Sequence, residues 1–306
     1  MYDLVIIGSG PAGLSAAIYA KRANLHVVVI EKEYMGTGQI AESGRVDNYP
    51  GLPGISGYDL GEKLREHAKA LNTTFENESV TKIETVVDSL TNKKYFRIYS
   101  ESGNIYEAIS VIYAAGASPR RGNIDGEEAF AGKGVSYCAL CDGAFYKKKT
   151  VAVLGGGDTA LDDALYLSDI CEKVYLIHRR NEFRGCQATV SKVEQRSNIE
   201  ICLSDEVISI SGNNNVEKIT MKSEKSIEVN GVFIAFGSVP NSSIIFDLVT
   251  TDRNGYVIAG EDGRTNVEGL LVAGDIRAKE VRQVVTAVSD GANAATTSYK
   301  YIKSVK

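Results

Sequence analysis

The sequence predicts an α/β protein built from two strand–turn–helix–strand units, the second inserted into the first. Three observations predict it. Residues 3–8, DLVIIG, hold the unbroken apolar run LVII and end in the glycine turn Gly8-x-Gly10-x-x-Gly13, as expected of a strand buried on both faces. The same design returns at 150, where TVAVLG leads into Gly155-x-Gly157-x-x-Ala160. A late strand, GLLVAGDI (269–276), and a long helical pattern over 281–302 provide material to complete the first unit.

Taken in order, the first turn is followed by PAGLSAAIYAKRAN, with Leu14, Ala17 and Ile18 at helical spacing, and then by the strand HVVVIEK. Residues 36–57 are rich in glycine and proline and read as a loop. YDLGEKLREHAKAL is a helix with Leu60, Leu64, Ala68 and Leu71 on one face, and residues 74–115 read as short strands. The second unit runs through the helix LDDALYLSDI and the strand KVYLIHRR to short strands over 199–236, with an Asn-rich turn at 213–215. The expected domains are 1–115 with 241–306, and 116–240.

Composition agrees. The chain has 306 residues, enough for about two domains, with 43% hydrophobic and 24% charged residues. A net charge of −5 points away from nucleic acid and anionic membranes. No apolar stretch is long enough for a membrane span, and the chain enters a strand at once, so the expected location is the cytoplasm. Five cysteines in a chain of this length do not make a disulfide scaffold.

The two glycine turns have a shared chemistry. Glycines permit the sharp turn, the approach of backbone N–H groups to a pyrophosphate, and close helix–strand packing. These are Rossmann-like dinucleotide fingerprints, and they differ in what closes the second strand. In unit one it is Glu31, a carboxylate suited to ribose hydroxyls. At the same offset from Gly155 stands His178, followed by Arg179, Arg180 and Arg184. Arginines attract a 2′-phosphate that an acid would repel, so the second unit is expected to take NADP(H). Two such modules in one chain suggest a flavoprotein fed by a nicotinamide, with FAD in the first and Gly274–Asp275 reaching the same flavin.

Between the units lies CALCDG, with Cys138 and Cys141 followed by Asp142. Zinc needs about four ligands, and Cys171, Cys186, Cys202, His26, His67 and His178 show no ligand spacing. A static disulfide would close a very short loop. Reversible dithiol–disulfide chemistry is the favoured reading, with Asp142 able to carry the proton if burial raises its pKa. The alternative for Asp142 is a cap on the following turn. The three other cysteines read as ordinary small apolar residues.

The ordered set GSGPAG, GQI with NYPG, AAGASPR, CALCDG, GGGDTA, HRRNEFR, VAGDI and RQVVTA resembles the bacterial low-molecular-weight NADPH-dependent thioredoxin reductases over nearly the whole chain. The resemblance implies FAD along Gly8, Gly10, Pro11, Ala12, Gly13, Glu31, Gln39 and Asn48, with Asp275, Arg282, Gln283 and Val284 at the isoalloxazine end. It implies NADPH at Gly156, Asp158, Thr159, His178, Arg179, Arg180 and Arg184. Cys141 would receive electrons from the flavin, Cys138 would exchange with thioredoxin, and Asp142 would handle the proton. The family is a homodimer whose inner domain rotates, and GASP (116–119) and GSVPN (237–241) are the expected hinges. Two departures stand out: Leu140 where a small polar residue is usual, and the loop EKEYMGTGQI, with Thr37 and an extra glycine before Gln39. Within the fold, a ferredoxin-linked reductase or a small-molecule dithiol oxidase are the alternatives. Outside enzymes, it is a flavin-binding regulatory module with a structural cysteine pair.

Overall fold

A computed structural model describes residues 1–33 and 36–306; Tyr34 and Met35, in the unusual loop, lie outside the described residues. Two compact units emerge, Met1–Ser118 with Val239–Lys306, and Pro119–Ser238. The architecture is mixed α/β with a parallel sheet at the centre of each unit.

The first unit opens with β1 (Tyr2–Ile7), α1 (Pro11–Arg22) and β2 (Val27–Glu31), as the apolar runs predict. The glycine-rich loop that follows contains one 3-10 turn, Gln39–Glu42. Then come α2 (Gly57–Ala70), β3 (Thr74–Asn77), β4 (Val80–Val87), β5 (Lys94–Ser100), β6 (Ile105–Tyr113) and β7 (Ala117–Pro119). Helix α2 starts where Ser56 accepts from the Asp59 amide, an N-cap that satisfies one orphan donor.

The second unit runs through β8 (Val135–Ser136), α3 (Ala139–Asp142), β9 (Thr150–Leu154), α4 (Asp158–Ser168), β10 (Lys173–His178) and α5 (Gln187–Glu194). It continues with β11 (Ile199–Leu203), β12 (Val207–Gly212), β13 (Val216–Met221), β14 (Ser226–Glu228) and β15 (Gly231–Ile234). The chain returns along β16 (Ser238–Pro240), which pairs with β7, and finishes the first unit with β17 (Leu270–Val272) and α6 (Val284–Val305). The late strand is shorter than the run GLLVAGDI suggests, because Gly274 takes a positive φ of 84° and turns the chain out of the sheet.

In the first unit the sheet order is β3-β2-β1-β6-β5-β4, with β17 also on β6. Strands β1, β2, β3, β6 and β17 pair parallel, and β4 and β5 extend the sheet antiparallel. Alternation along β1 sends Leu4 and Ile6 to the face covered by α1 and α6, and Val5 and Ile7 to the other. Each such fully buried aliphatic side chain contributes about 1.5–3 kcal/mol.

The second unit repeats the plan with a parallel sheet, β11-β10-β9-β15-β8. One face packs on α4 through Leu161, Ala164 and Leu167. The other packs on the antiparallel β12-β13-β14 through Ile210, Val216 and Ile219, giving a layered ββα sandwich. No helix among the described residues is long and apolar enough to cross a membrane.

Helices α1 and α6 meet through small residues: Ala12 and Ala16 against Gly291, Ala294 and Ala295. A Cβ at Gly291 would sit 2.1 Å from the Ala12 carbonyl oxygen, which is backbone and cannot step aside. Gly291→Ala is therefore expected to force the helices apart and to cost about 1–3 kcal/mol, or more where the sheet cannot follow. Calorimetry of the variant should show a lower melting temperature; an unchanged one would mean the helices slide freely.

Candidate active site

The first glycine turn is a tight piece of backbone. Gly8 has φ of 100°, and a Cβ at Gly13 would lie 1.9 Å from the Gly8 carbonyl oxygen, so the helix can rest on the strand end only with glycine there. Gly10 is the N-cap of α1, in extended conformation and without a side-chain cap, and Pro11 is the first helical residue. The first-turn N–H groups are thus left for an outside acceptor.

Glu31 closes β2 beside this turn. Its Oε2 accepts from the Ser9 amide at 2.8 Å and the Ser9 hydroxyl at 3.0 Å, and its Oε1 from the Glu33 amide at 3.2 Å. The same Ser9 hydroxyl lies 2.5 Å from the Gly36 carbonyl oxygen, so its one hydrogen is shared between the two acceptors. Ser9 therefore orients the carboxylate and ties the following loop to the turn. It lies inside the fingerprint, but the glycine pattern gives its position no meaning.

The late segment reaches the same place. A Cβ at Gly274 would be 2.9 Å from the Ala12 Cβ, so the turn after β17 rests on the first turn of α1. Asp275 follows; its Oδ1 is buried without a hydrogen-bond partner among the described residues. Burial pushes its carboxyl up, and Lys279 and Arg282 pull it down. The Arg282 Nε donates to the Asp275 carbonyl at 3.2 Å, and its guanidinium stacks 3.9 Å above the Tyr256 ring. Asn48 donates to Gln283 at 2.9 Å, joining residues far apart in sequence. Gln39 opens the 3-10 turn, and Val284 packs with Ile40, Val46 and Leu60.

Behind Asp275 lies a buried charge network that sequence reading missed. Asp290 accepts from Arg277 at 2.9 Å, from Lys279 at 3.0 Å and from the Gly274 amide at 3.0 Å. No spacing rule marks these residues, since they come from a loop and a helix.

The second turn is built alike. Gly157 is the N-cap of α4, again without a side-chain cap, and Thr159 is exposed in the first helical turn. The His178 ring lies over Gly156, where a Cβ would be 2.4 Å from it, and stacks on Phe183. Burial holds His178 below the usual imidazole range, reinforced by Arg184, Arg180 and Arg179, and its Nε2 has no hydrogen-bond partner among the described residues. The Arg184 amide donates to the Gly156 carbonyl at 2.7 Å, and the Cys186 amide to Asp158 Oδ1 at 2.6 Å. The arginine loop is thus pinned to the turn, with Arg179, Arg180 and Arg184 exposed. Cys186 is not the apolar filler that the sequence suggests: it is exposed, at the start of α5.

Cys138 and Cys141 are joined as a disulfide across α3, with Cα atoms 5.3 Å apart. Cys138 caps the helix, its sulfur accepting from the Cys141 amide at 3.2 Å. Asp142 stands at the N-cap position of the turn that follows, but its side chain makes no cap hydrogen bond there. Its Oδ2 instead accepts from the Ser136 hydroxyl at 2.6 Å. Burial pushes the Asp142 carboxyl up, against the opposing pull of Ser136. Leu140 is 57% exposed between the cysteines, while Ala139 is buried beneath. Among the described residues no His, Cys, Asp and Glu side chains gather into a metal site.

The family pattern of the pyridine nucleotide-disulphide oxidoreductases matches residues 2–291. The chain belongs to that family. It is an oxidoreductase of the kind that works with a flavin and a nicotinamide nucleotide. The thioredoxin reductase of Mycoplasma genitalium is 39% identical to it over 300 residues, covering 96% of this chain and 93% of that one. The thioredoxin reductase of Helicobacter pylori is 40% identical over 315 residues, covering 99% of each. The solved thioredoxin reductase of Streptococcus pyogenes superposes with a TM-score of 0.93 at 37% identity over 99% of each chain. In this oxidoreductase the close cysteine pair fits a redox-active disulfide.

Proposed function

We propose that the chain is an NADPH-dependent, FAD-containing thioredoxin reductase. The observation that carries this reading is the Cys138–Cys141 disulfide with a half-buried carboxyl beside it, in the same unit as a glycine turn edged by three arginines.

The residues present fit both cofactors. In the first unit, the uncapped start of α1 at Gly10, Pro11, Ala12 and Gly13 would hold the pyrophosphate of FAD. Glu31, set by Ser9, would take the adenosine ribose; the Oδ1 of Asp275, which accepts no hydrogen bond among the described residues, would accept from the far end of the flavin, with Gln39, Asn48, Arg282, Gln283 and Val284 around it. In the second unit, Gly156, Asp158 and Thr159 at the start of α4 would hold the pyrophosphate of NADPH. His178, Arg179, Arg180 and Arg184 would hold its 2′-phosphate. The bound pair would supply the two electrons that open the Cys138–Cys141 disulfide. Cys138, as the partner-facing thiol, would then attack the disulfide of thioredoxin, while Asp142 would hold the proton that the leaving sulfur takes. We place the enzyme in the cytoplasm, as a homodimer, with 116–119 and 237–241 as the bends between its units.

Anaerobic titration of the yellow protein tests the nucleotide assignment. NADPH is expected to bleach the flavin near stoichiometry, with NADH at least about tenfold weaker. Arg179→Ala with Arg180→Ala should bring the two dinucleotides close to parity. No bleaching by either would overturn the NADPH assignment and turn attention to reduced ferredoxin as donor.

A further inference from the structure

Ser136 stands between the two groups that the exchange chemistry needs. It is 5% exposed, at the end of β8. Its hydroxyl donates to Asp142 Oδ2 at 2.6 Å, and its oxygen accepts from the Cys138 amide at 3.1 Å. The same hydroxyl is 3.3 Å from the Cys138 carbonyl oxygen, a second acceptor. A hydroxyl has one hydrogen to give and two lone pairs to receive with. When Asp142 is ionised, the hydrogen belongs to Asp142. When Asp142 holds a proton on Oδ2, the acid must donate, and the serine hydrogen can turn only to the Cys138 carbonyl.

We propose that Ser136 is a positioning residue for disulfide exchange: its hydroxyl links the Asp142 carboxyl to the Cys138 backbone and reverses its donor when Asp142 takes up a proton. The proposal rests on the reading of Asp142 as proton carrier for the cysteine pair. By donating to the ionised form, Ser136 opposes the rise that burial imposes on Asp142. It thereby keeps the carboxyl able both to give and to regain a proton, and it transmits that state to the backbone holding the attacking sulfur.

The titratable and charged groups around Asp142 leave this role to Ser136. Tyr146, from the next turn, is pushed up to about 12 by burial, with Asp142 and Cys171 adding to it, and Lys149 sits 5.6 Å from its ring centre. Helix α4, which packs on this segment, brings Tyr166 beside Gly143 and carries Asp162 and Asp163. Among the described residues the hydrogen bond that favours the ionised form of Asp142 against burial comes from Ser136.

The test follows the oxidised holoprotein by NMR across pH 3–10. The carboxyl carbon of Asp142 reports its protonation, and the Cys138 amide reports the linked backbone. In the unaltered protein the Cys138 amide proton is expected to move with the midpoint of Asp142, and to be flat over that range in Asp142→Asn. In Ser136→Ala the Asp142 midpoint should rise by about one pH unit or more, with the Cys138 amide no longer following. Ser136→Thr, which keeps the hydroxyl, should restore both. A Cys138 amide that ignores Asp142 in the unaltered protein overturns the proposal whether or not the variants fold. So does an unmoved midpoint in folded Ser136→Ala. These readouts need no thioredoxin, so a failed turnover assay with intact coupling would sink thioredoxin as the substrate and leave the link from Asp142 through Ser136 to Cys138 standing.

Discussion

Cys138→Ser is expected to keep its flavin and its oxidation of NADPH by artificial acceptors, yet to lose thioredoxin turnover by on the order of 10³-fold or more. A thiolate is the attacking species in exchange, and a serine hydroxyl is not ionised near neutral pH. The substitution is close to isosteric, and the helix keeps its cap, because a serine oxygen accepts from the Cys141 amide as the sulfur does. The loss would therefore be chemical rather than structural. A thiol count on the unaltered protein gives the companion result: reduction should expose two more thiols than the air-oxidised form shows, from the Cys138–Cys141 bond. Full turnover by the variant, or a thiol count that reduction leaves unchanged, would argue for a structural pair.

The second large effect concerns stability. Asp163, on α4, is pushed up to about 7 by burial, with Asp162 beside it adding to the rise. A carboxyl whose folded pKa lies above its unfolded value favours the fold while it is protonated. That stability is complete below the unfolded value, near pH 4, and is lost as the pH rises through about 7. The loss amounts to about 2–4 kcal/mol, the upper figure being the whole shift converted and the lower one allowing for water reaching a partly exposed group. Asp163→Asn keeps the shape and has no proton to lose. It should be more stable than the parent at pH 8 and indistinguishable from it at pH 4 in denaturant unfolding. Parallel curves across that range would show that Asp163 ionises freely.

What the sequence made legible was whatever repeats locally. Buried strands show as apolar runs, the turns as glycine spacings, and the acid-versus-arginine contrast at Glu31 and His178 as an offset along the chain. What stayed hidden depends on distant partners. Ser9 matters because Gly36 and Glu31 fold back onto it. Ser136 matters because a short helix returns Asp142 to it. Asp290 gathers Arg277 and Lys279 from outside its own helix. No periodicity encodes such meetings. The late strand is shorter than its run for a related reason: GLLVAGDI is apolar but for Asp275, and its path is decided by the positive φ at Gly274.

The way α6 covers α1 has a consequence for how the chain is made. The second unit is one continuous stretch, 119–238, and has all its strands as soon as that stretch has left the ribosome. The first unit does not: β17 and α6 are synthesised only after it. At ordinary elongation rates the interval is on the order of ten seconds. Throughout it the apolar side of α1, with Leu14, Ala16 and Ala17, has no α6 to cover it. The nascent chain thus carries a finished domain and an open one together, and it is the open one, at the leading end, that a chaperone would find.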